Sequence, residues 1–212
     1  MDITQINVLL VAAVSIAFFH VLLGPDHYLP FIVLAKTRNW SWPKTIGVTL
    51  GCGLGHVLSS VVLGLIGVAL GIGLNKLEAV ESTRGALAGW ALIAFGIVYF
   101  VWGIRKAVDY KPHQHSSQKT VTTWALFIVF VLGPCEPLIP FLMYPAAQNS
   151  YWAMFWVILV FSATTLITML GVVLVSTFGL SFWPLQKMER YATALAGLAI
   201  LMCGVSIKFL GL

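Results

Sequence analysis

The sequence predicts an all-α integral membrane protein of six transmembrane helices, arranged as a 3+3 inverted repeat with proline-broken helices 1 and 4. Three observations carry that expectation. Of 212 residues, 59% are hydrophobic and only 9% charged, with a mean hydropathy of +0.95; a soluble domain carries roughly 25% charged residues. Six apolar runs each approach or exceed the ~20 residues that cross a bilayer. Finally, Leu23-Gly24-Pro25 in the first run returns as Leu132-Gly133-Pro134 in the fourth, at an offset of 109.

The runs lie at about 6–35, 45–74 and 85–104, then 121–144, 151–180 and 191–209. They divide the chain into a first three-helix repeat (1–109), a polar cytoplasmic loop (110–120) and a second repeat (121–212). Three crossings per half insert the second copy upside down relative to the first. As a straight helix the first run would be ~45 Å long, against a ~30 Å hydrocarbon core, and Gly24-Pro25 with Pro30 predict that it breaks. The N-terminus, with Asp2 and no basic residue before the first run, lacks the n-region of a signal peptide, so this span is expected to be retained.

Loop charges set the orientation. Lys36, Arg38, Lys44, Arg105, Lys106, Lys111, Lys119, Lys187 and Arg190 follow spans one, three and five. Only Lys76, Arg84 and Lys208 fall on the other side. Nine against three puts the first set in the cytoplasm and both termini outside it, in a cell inner (plasma) membrane. Trp40, Trp42 and Trp183 flank spans on that side as interface anchors. The net charge of +5 is thus a topology signal, and no nucleic-acid partner is implied.

Ionisable groups inside the runs are few: His20, Asp26, His27, His56 and Glu136, with Cys135 as a soft neighbour. Each costs ~2.5–3.5 kcal/mol near the bilayer centre, so each must face protein, water or an ion. Counted from the basic loop, Asp26 and His56 both sit ~15–18 Å deep. Cys135 and Glu136 reach a similar depth from Gln148-Asn149 on the opposite side. The 109-residue offset also carries His56 onto Thr165 and Ser59 onto Thr168. With one inserted residue, Leu29-Pro30-Phe31 matches Ile139-Pro140-Phe141.

Proline suggests how these groups could share a ligand. Pro25 and Pro30 free the carbonyls of Val21 and Asp26, while Pro134, Pro137 and Pro140 free those of Phe130, Gly133 and Glu136. Carboxylate, imidazole and thiol together suit a transition metal better than a hard ion. His20 lies ~10 Å before His27 on a regular helix, so only an unwound turn brings both to one ion. Plainer readings stand beside these: a kink brace for Asp26-His27, an interhelical hydrogen bond for His56, and a kink cap for Cys135-Glu136. Cys52 and Cys203 read as packing residues, His113 and His115 as a solvated loop, and Gly51, Gly53, Gly55, Gly64, Gly67 and Gly71 as close-packing positions. Three cysteines without short spacing give no disulfide framework.

The run from His20 through Gly24-Pro25 to Asp26-His27, followed by Gly53-Leu54-Gly55-His56, resembles the nickel/cobalt transporter family. That family carries His-x4-Asp-His and then a Gly-His motif; here five residues separate His20 from Asp26. The motif is similar also to urease-accessory membrane proteins and, more widely, to the lysine-exporter-like superfamily of three-span repeats. Gly133-Pro134-Cys135 resembles the thiol-electron transporters of cytochrome c biogenesis, which pair that cysteine with one in span one, where this chain has Asp26.

The resemblance implies a transporter, not an enzyme. It would move a divalent transition metal, nickel or cobalt, through a midplane site of Asp26, His27, His56, Cys135, Glu136 and His20. No cofactor would be permanently bound; the partners are the ion and the lipid bilayer, with self-association allowed. No Walker A loop is present to couple ATP. The alternatives are a transmembrane thiol-disulfide electron carrier, for which Cys52 with Cys135 is the candidate pair, or an accessory protein for metalloenzyme assembly.

Overall fold

Asp2 opens the first helix through a reciprocal cap. Its carboxylate accepts from the Gln5 amide at 2.7 Å, and the Gln5 side chain accepts from the Asp2 amide at 3.1 Å. The computed structural model describes residues 1–108, 119–179 and 191–210. All its regular elements are helical: α1 (Ile3–Leu23), a 3-10 turn (Pro25–His27), α2 (Leu29–Thr37), α3 (Trp42–Ala69), α4 (Leu74–Val108), α5 (Lys119–Leu132), α6 (Leu138–Ala147), α7 (Tyr151–Leu174) and α8 (Ala192–Val205). The last two run on into π-helical turns, Val175–Gly179 and Ser206–Leu210. The loop 110–120, apart from the start of α5, lies outside the described residues, as do His113, His115 and Trp183.

Five helices are long and apolar enough to cross a membrane: Ile3–Leu23, Trp42–Ala69, Leu74–Val108, Tyr151–Gly179 and Ala192–Phe209. The chain is therefore a multi-pass membrane protein. Val8, Val11, Phe19, Leu58 and Ile167 point outward, as lipid-facing residues do. The fourth expected span, 121–144, does not form one long helix. It is divided into α5 and α6, each too short to span alone, by a break at residues 133–137. The first run is likewise interrupted between Leu23 and Leu29. Both breaks sit where proline removes a helical donor.

Several expectations need correction. The third span starts at Leu74 rather than near 85, which places Lys76, Glu78 and Arg84 on a helix instead of in a loop. Trp40 is buried in the core beneath the Lys44 ammonium, whereas Trp42 is exposed and stacks on Phe178. Gly67 and Gly71 are not one packing motif: Gly67 faces Leu77, while Gly71 ends α3 at φ +62°. Gly51 meets no neighbour.

The closest helix pair is α4 with α8. Gly89, Gly96 and Gly103 recur every seven residues on α4, as do Gly197 and Gly204 on α8. A Cβ added at Gly204 would stand 2.7 Å from the Ile93 amide nitrogen, so main chain touches main chain. In lipid, where apolar burial between helices gains little, such contact is a main source of attraction. On the other side of the molecule α7 packs against α1, α3 and α6. Two buried clusters result. One gathers Val21, Phe31, Cys52, Leu126, Phe130 and Met169, and the other Ala13, Ala17, Val57, Val61, Cys135 and Phe161.

Candidate metal centre at the first helix break

Gly24 ends α1, and Pro25 cannot continue its hydrogen-bond ladder, so the chain tightens into a 3-10 turn carrying Asp26 and His27. This turn brings His27 back over the last turn of α1. The rings of His20 and His27 lie 4.7 Å apart between centroids, far closer than a regular helix permits. His56, midway along α3, enters from the side with its ring 5.1 Å from that of His27. Both ring pairs meet edge to face, at 77° and 88°.

One ligand nitrogen from each of the three histidines can be chosen so that all lie within 4.8 Å of one another. Three nitrogens at ~2.1 Å on a tetrahedral ion stand about 3.4 Å apart, so a modest turn of the rings closes the set. The Nε2 atoms of His20, His27 and His56 are all buried and have no hydrogen-bond partner. Orphaned buried polar atoms are rare because each forfeits its solvation. Three such nitrogens here belong to neighbouring histidines, which makes this break the candidate site.

The Nδ1 side explains the orientation. His27 Nδ1 lies 3.2 Å from Gly24 O and 3.2 Å from Asp26 Oδ1. A carbonyl only accepts, so Nδ1 carries the proton, and in the neutral ring Nε2 then presents its lone pair. A carboxylate behind an imidazole is the usual outer support of a metal-binding histidine. His56 has the Phe130 carbonyl beside its ring as an acceptor, a carbonyl that loses its helical donor at Pro134 and accepts from the Gly133 amide at 3.1 Å. Asp26 itself is one-quarter exposed and holds His27 rather than facing the ring cluster directly.

The second break is built differently. Cys135 and Glu136 do not join the imidazole group. Cys135 is fully buried among Ala13, Ala17, Val57, Val61 and Phe161, with its amide donating to Ser60 Oγ at 3.1 Å, and Glu136 is exposed. The Gly133 carbonyl that Pro137 frees accepts from Arg84 Nη2 at 3.4 Å, and Val131 O accepts from the same nitrogen at 2.9 Å. Arg84 also donates to Ser59 Oγ at 2.6 Å and pairs with the fully buried Glu81, which accepts from Ser60 Oγ at 3.3 Å. Glu81 and Arg84 form a buried pair at the second break that sequence reasoning missed. The legible signal was Glu81-x-x-Arg84, an (i, i+3) pair of opposite charge at the edge of an apolar run.

The three cysteines are free and buried. Cys52 belongs to the cluster with Leu126 and Phe130, before the second break, and Cys135 to the other cluster, beyond it. Eight residues of helix separate Cys52 from Ser60, the partner of Cys135, which is ~12 Å along α3. A disulfide needs Cα atoms within ~7 Å. Cys52 and Cys135 are both free and fall in different buried clusters.

A model of the protein family described as "Cytochrome C biogenesis protein transmembrane region" matches residues 29–206. That is most of the chain, which therefore belongs to this family. Of the families it resembles, the match falls on the thiol-electron-transporter side and lends nothing to nickel or cobalt in particular. It begins just after His27, so His20, Asp26 and His27 precede it, whereas His56, Glu81, Arg84 and Cys135 lie within it. No curated protein and no solved structure matches.

Proposed function

We propose that this member of the cytochrome c biogenesis transmembrane family handles a divalent transition-metal ion at His20, His27 and His56, as a membrane carrier or assembly accessory. One observation carries the reading: three histidines beside the first helix break each have a buried, unpartnered Nε2 and offer ligand nitrogens within 4.8 Å of one another. Asp26 adds negative charge behind His27. A set of neutral imidazoles suits Co²⁺, Ni²⁺, Cu²⁺ or Zn²⁺, and affinity within that series follows the metal more than the site. Nickel or cobalt is the expectation from sequence resemblance alone. We further propose that α5 and α6 together make a sixth crossing, which completes two inverted three-helix repeats in an inner membrane.

A second reading is a transmembrane thiol-disulfide electron carrier. The family match supports it more directly than it supports metal handling, and the placement of Cys52 and Cys135 speaks against it. Metal analysis of the purified full chain separates the two. Wild type is expected to retain a stoichiometric transition metal that His27→Ala and His56→Ala lose. A metal-free wild type with a trappable Cys52–Cys135 disulfide would establish the second reading instead.

A further inference from the structure

We propose, resting on the metal reading above, that Thr165 is a fourth member of the site. Its hydroxyl holds the water that completes the coordination of an ion bound by His20, His27 and His56. Thr165 is fully buried on α7, and its Oγ1 has no hydrogen-bond partner. A threonine in an apolar helix ordinarily back-bonds to the carbonyl one turn earlier; Thr49 and Thr177 share the unpartnered state, but lie away from the level of the histidines. The adjacent Thr164 does back-bond, donating to Val160 O at 2.8 Å, as Ser15 does to Val11 O. Thr165 leaves the equivalent Phe161 carbonyl alone.

Its neighbours fix its level. Phe161, one turn before, shares a cluster with Ala13, Ala17, Val57 and Val61. Met169, one turn after, shares the other cluster with Val21 and Cys52, and its sulfur stands 3.2 Å from where a Gly53 Cβ would be. Thr165 is thus bracketed on α1 between Ala17 and Val21, the level of His20. On α3 it is bracketed between Gly53 and Val57, the level of His56. It is also the residue that the 109-residue offset pairs with His56.

Three protein nitrogens leave the fourth position of a tetrahedral ion open to water. Thr165 Oγ1 is an unsatisfied buried atom at that level, and it can accept from such a water. An outer partner of this kind changes metal affinity by ~10–100-fold.

The test is a Co²⁺ titration of the purified full chain, read by the visible d–d bands of the bound ion. Thr165→Val keeps the shape and removes the hydroxyl. It is expected to weaken Co²⁺ binding about 10-fold or more and to shift the bands, while Thr165→Ser keeps both near wild type. Wild-type affinity and spectrum in Thr165→Val would overturn this proposal and leave the three-histidine site standing. A wild type that takes up no Co²⁺ would remove the metal reading, and this proposal with it. Should Thr165→Val not fold, Thr165→Ala carries the same comparison, and unchanged binding there overturns the proposal equally.

Discussion

The two helix breaks begin alike, as Leu23-Gly24-Pro25 and Leu132-Gly133-Pro134, yet the protein completes them in opposite ways. At the first, the turn closes on itself: His27 supplies both its amide and its Nδ1 to Gly24 O, at 3.1 and 3.2 Å. What remains unpartnered are ring nitrogens facing a cluster. At the second, another helix does the closing. Arg84 of α4 takes the carbonyls of Val131 and Gly133, Glu81 neutralises it, and Ser60 caps the Cys135 amide. Among the described atoms of that break's polar network, donors meet acceptors. The same interruption of a helix thus leaves side chains unsatisfied at the first break, where binding is proposed, and satisfies them at the second, which α4 anchors.

The contrast is broken most directly at Arg84. Removing it leaves Glu81 buried without its counter-charge, and uncompensated charges of this kind cost about 3–5 kcal/mol. Arg84→Ala should lose most of its thermal stability in detergent, and Arg84→Met with Glu81→Gln should recover much of it. A wild-type Tm in Arg84→Ala would mean that the second break is not held from α4.

The first break should answer in the other currency. His27→Ala removes a ligand and an orphaned buried nitrogen together, so metal affinity should fall by about 100-fold, roughly 2.7 kcal/mol, with little change in Tm. Binding should also be lost in acid strong enough to protonate the rings, because a protonated ring is no ligand.

A smaller effect is expected at Asp26. Asp26→Asn keeps an acceptor for His27 Nδ1 but loses the charge, and should weaken binding about 10-fold. Glu78→Gln, exposed on α4, should be silent. Equal effects from the two would reduce Asp26 to a general surface charge. The smallest effect on metal belongs to the thiols: Cys52→Ser and Cys135→Ser should both leave Co²⁺ titrations nearly unchanged. Cys135→Ser should still destabilise by about 1–3 kcal/mol through a hydroxyl buried among apolar side chains. Loss of a cellular redox activity in both variants would turn the comparison toward thiol exchange.

Much of this was legible in particular residues. Pro25 and Pro134 mark where helices must break because a missing amide proton is a local fact. The approach of His20 to His27 follows once that break is granted. The expected ligand pair Cys135-Glu136 was misplaced because depth in the membrane says nothing about rotation. Glu136 lies at the right level and turns outward, while Cys135 turns into an apolar cluster. Arg84 was read as a loop charge because Lys76, Glu78 and Glu81 dilute the hydropathy of the first turns of α4.

The sequence by itself determined the solvent of this protein, the approximate positions of its helices apart from the first three turns of α4, and the two points where the main chain must bend. Those are consequences of composition and of single-residue chemistry, and they need no partner. Tertiary structure alone decided that His56 meets His20 and His27, that Glu81 and Arg84 close the second break, and that Thr165 sits at the level of the imidazoles. Each of these depends on how far a helix is rotated about its axis. That rotation is set by contacts such as Gly204 on Ile93 and Gly53 on Met169, summed over the whole bundle. In lipid, apolar periodicity constrains rotation weakly, because the outward face is as apolar as the inward one.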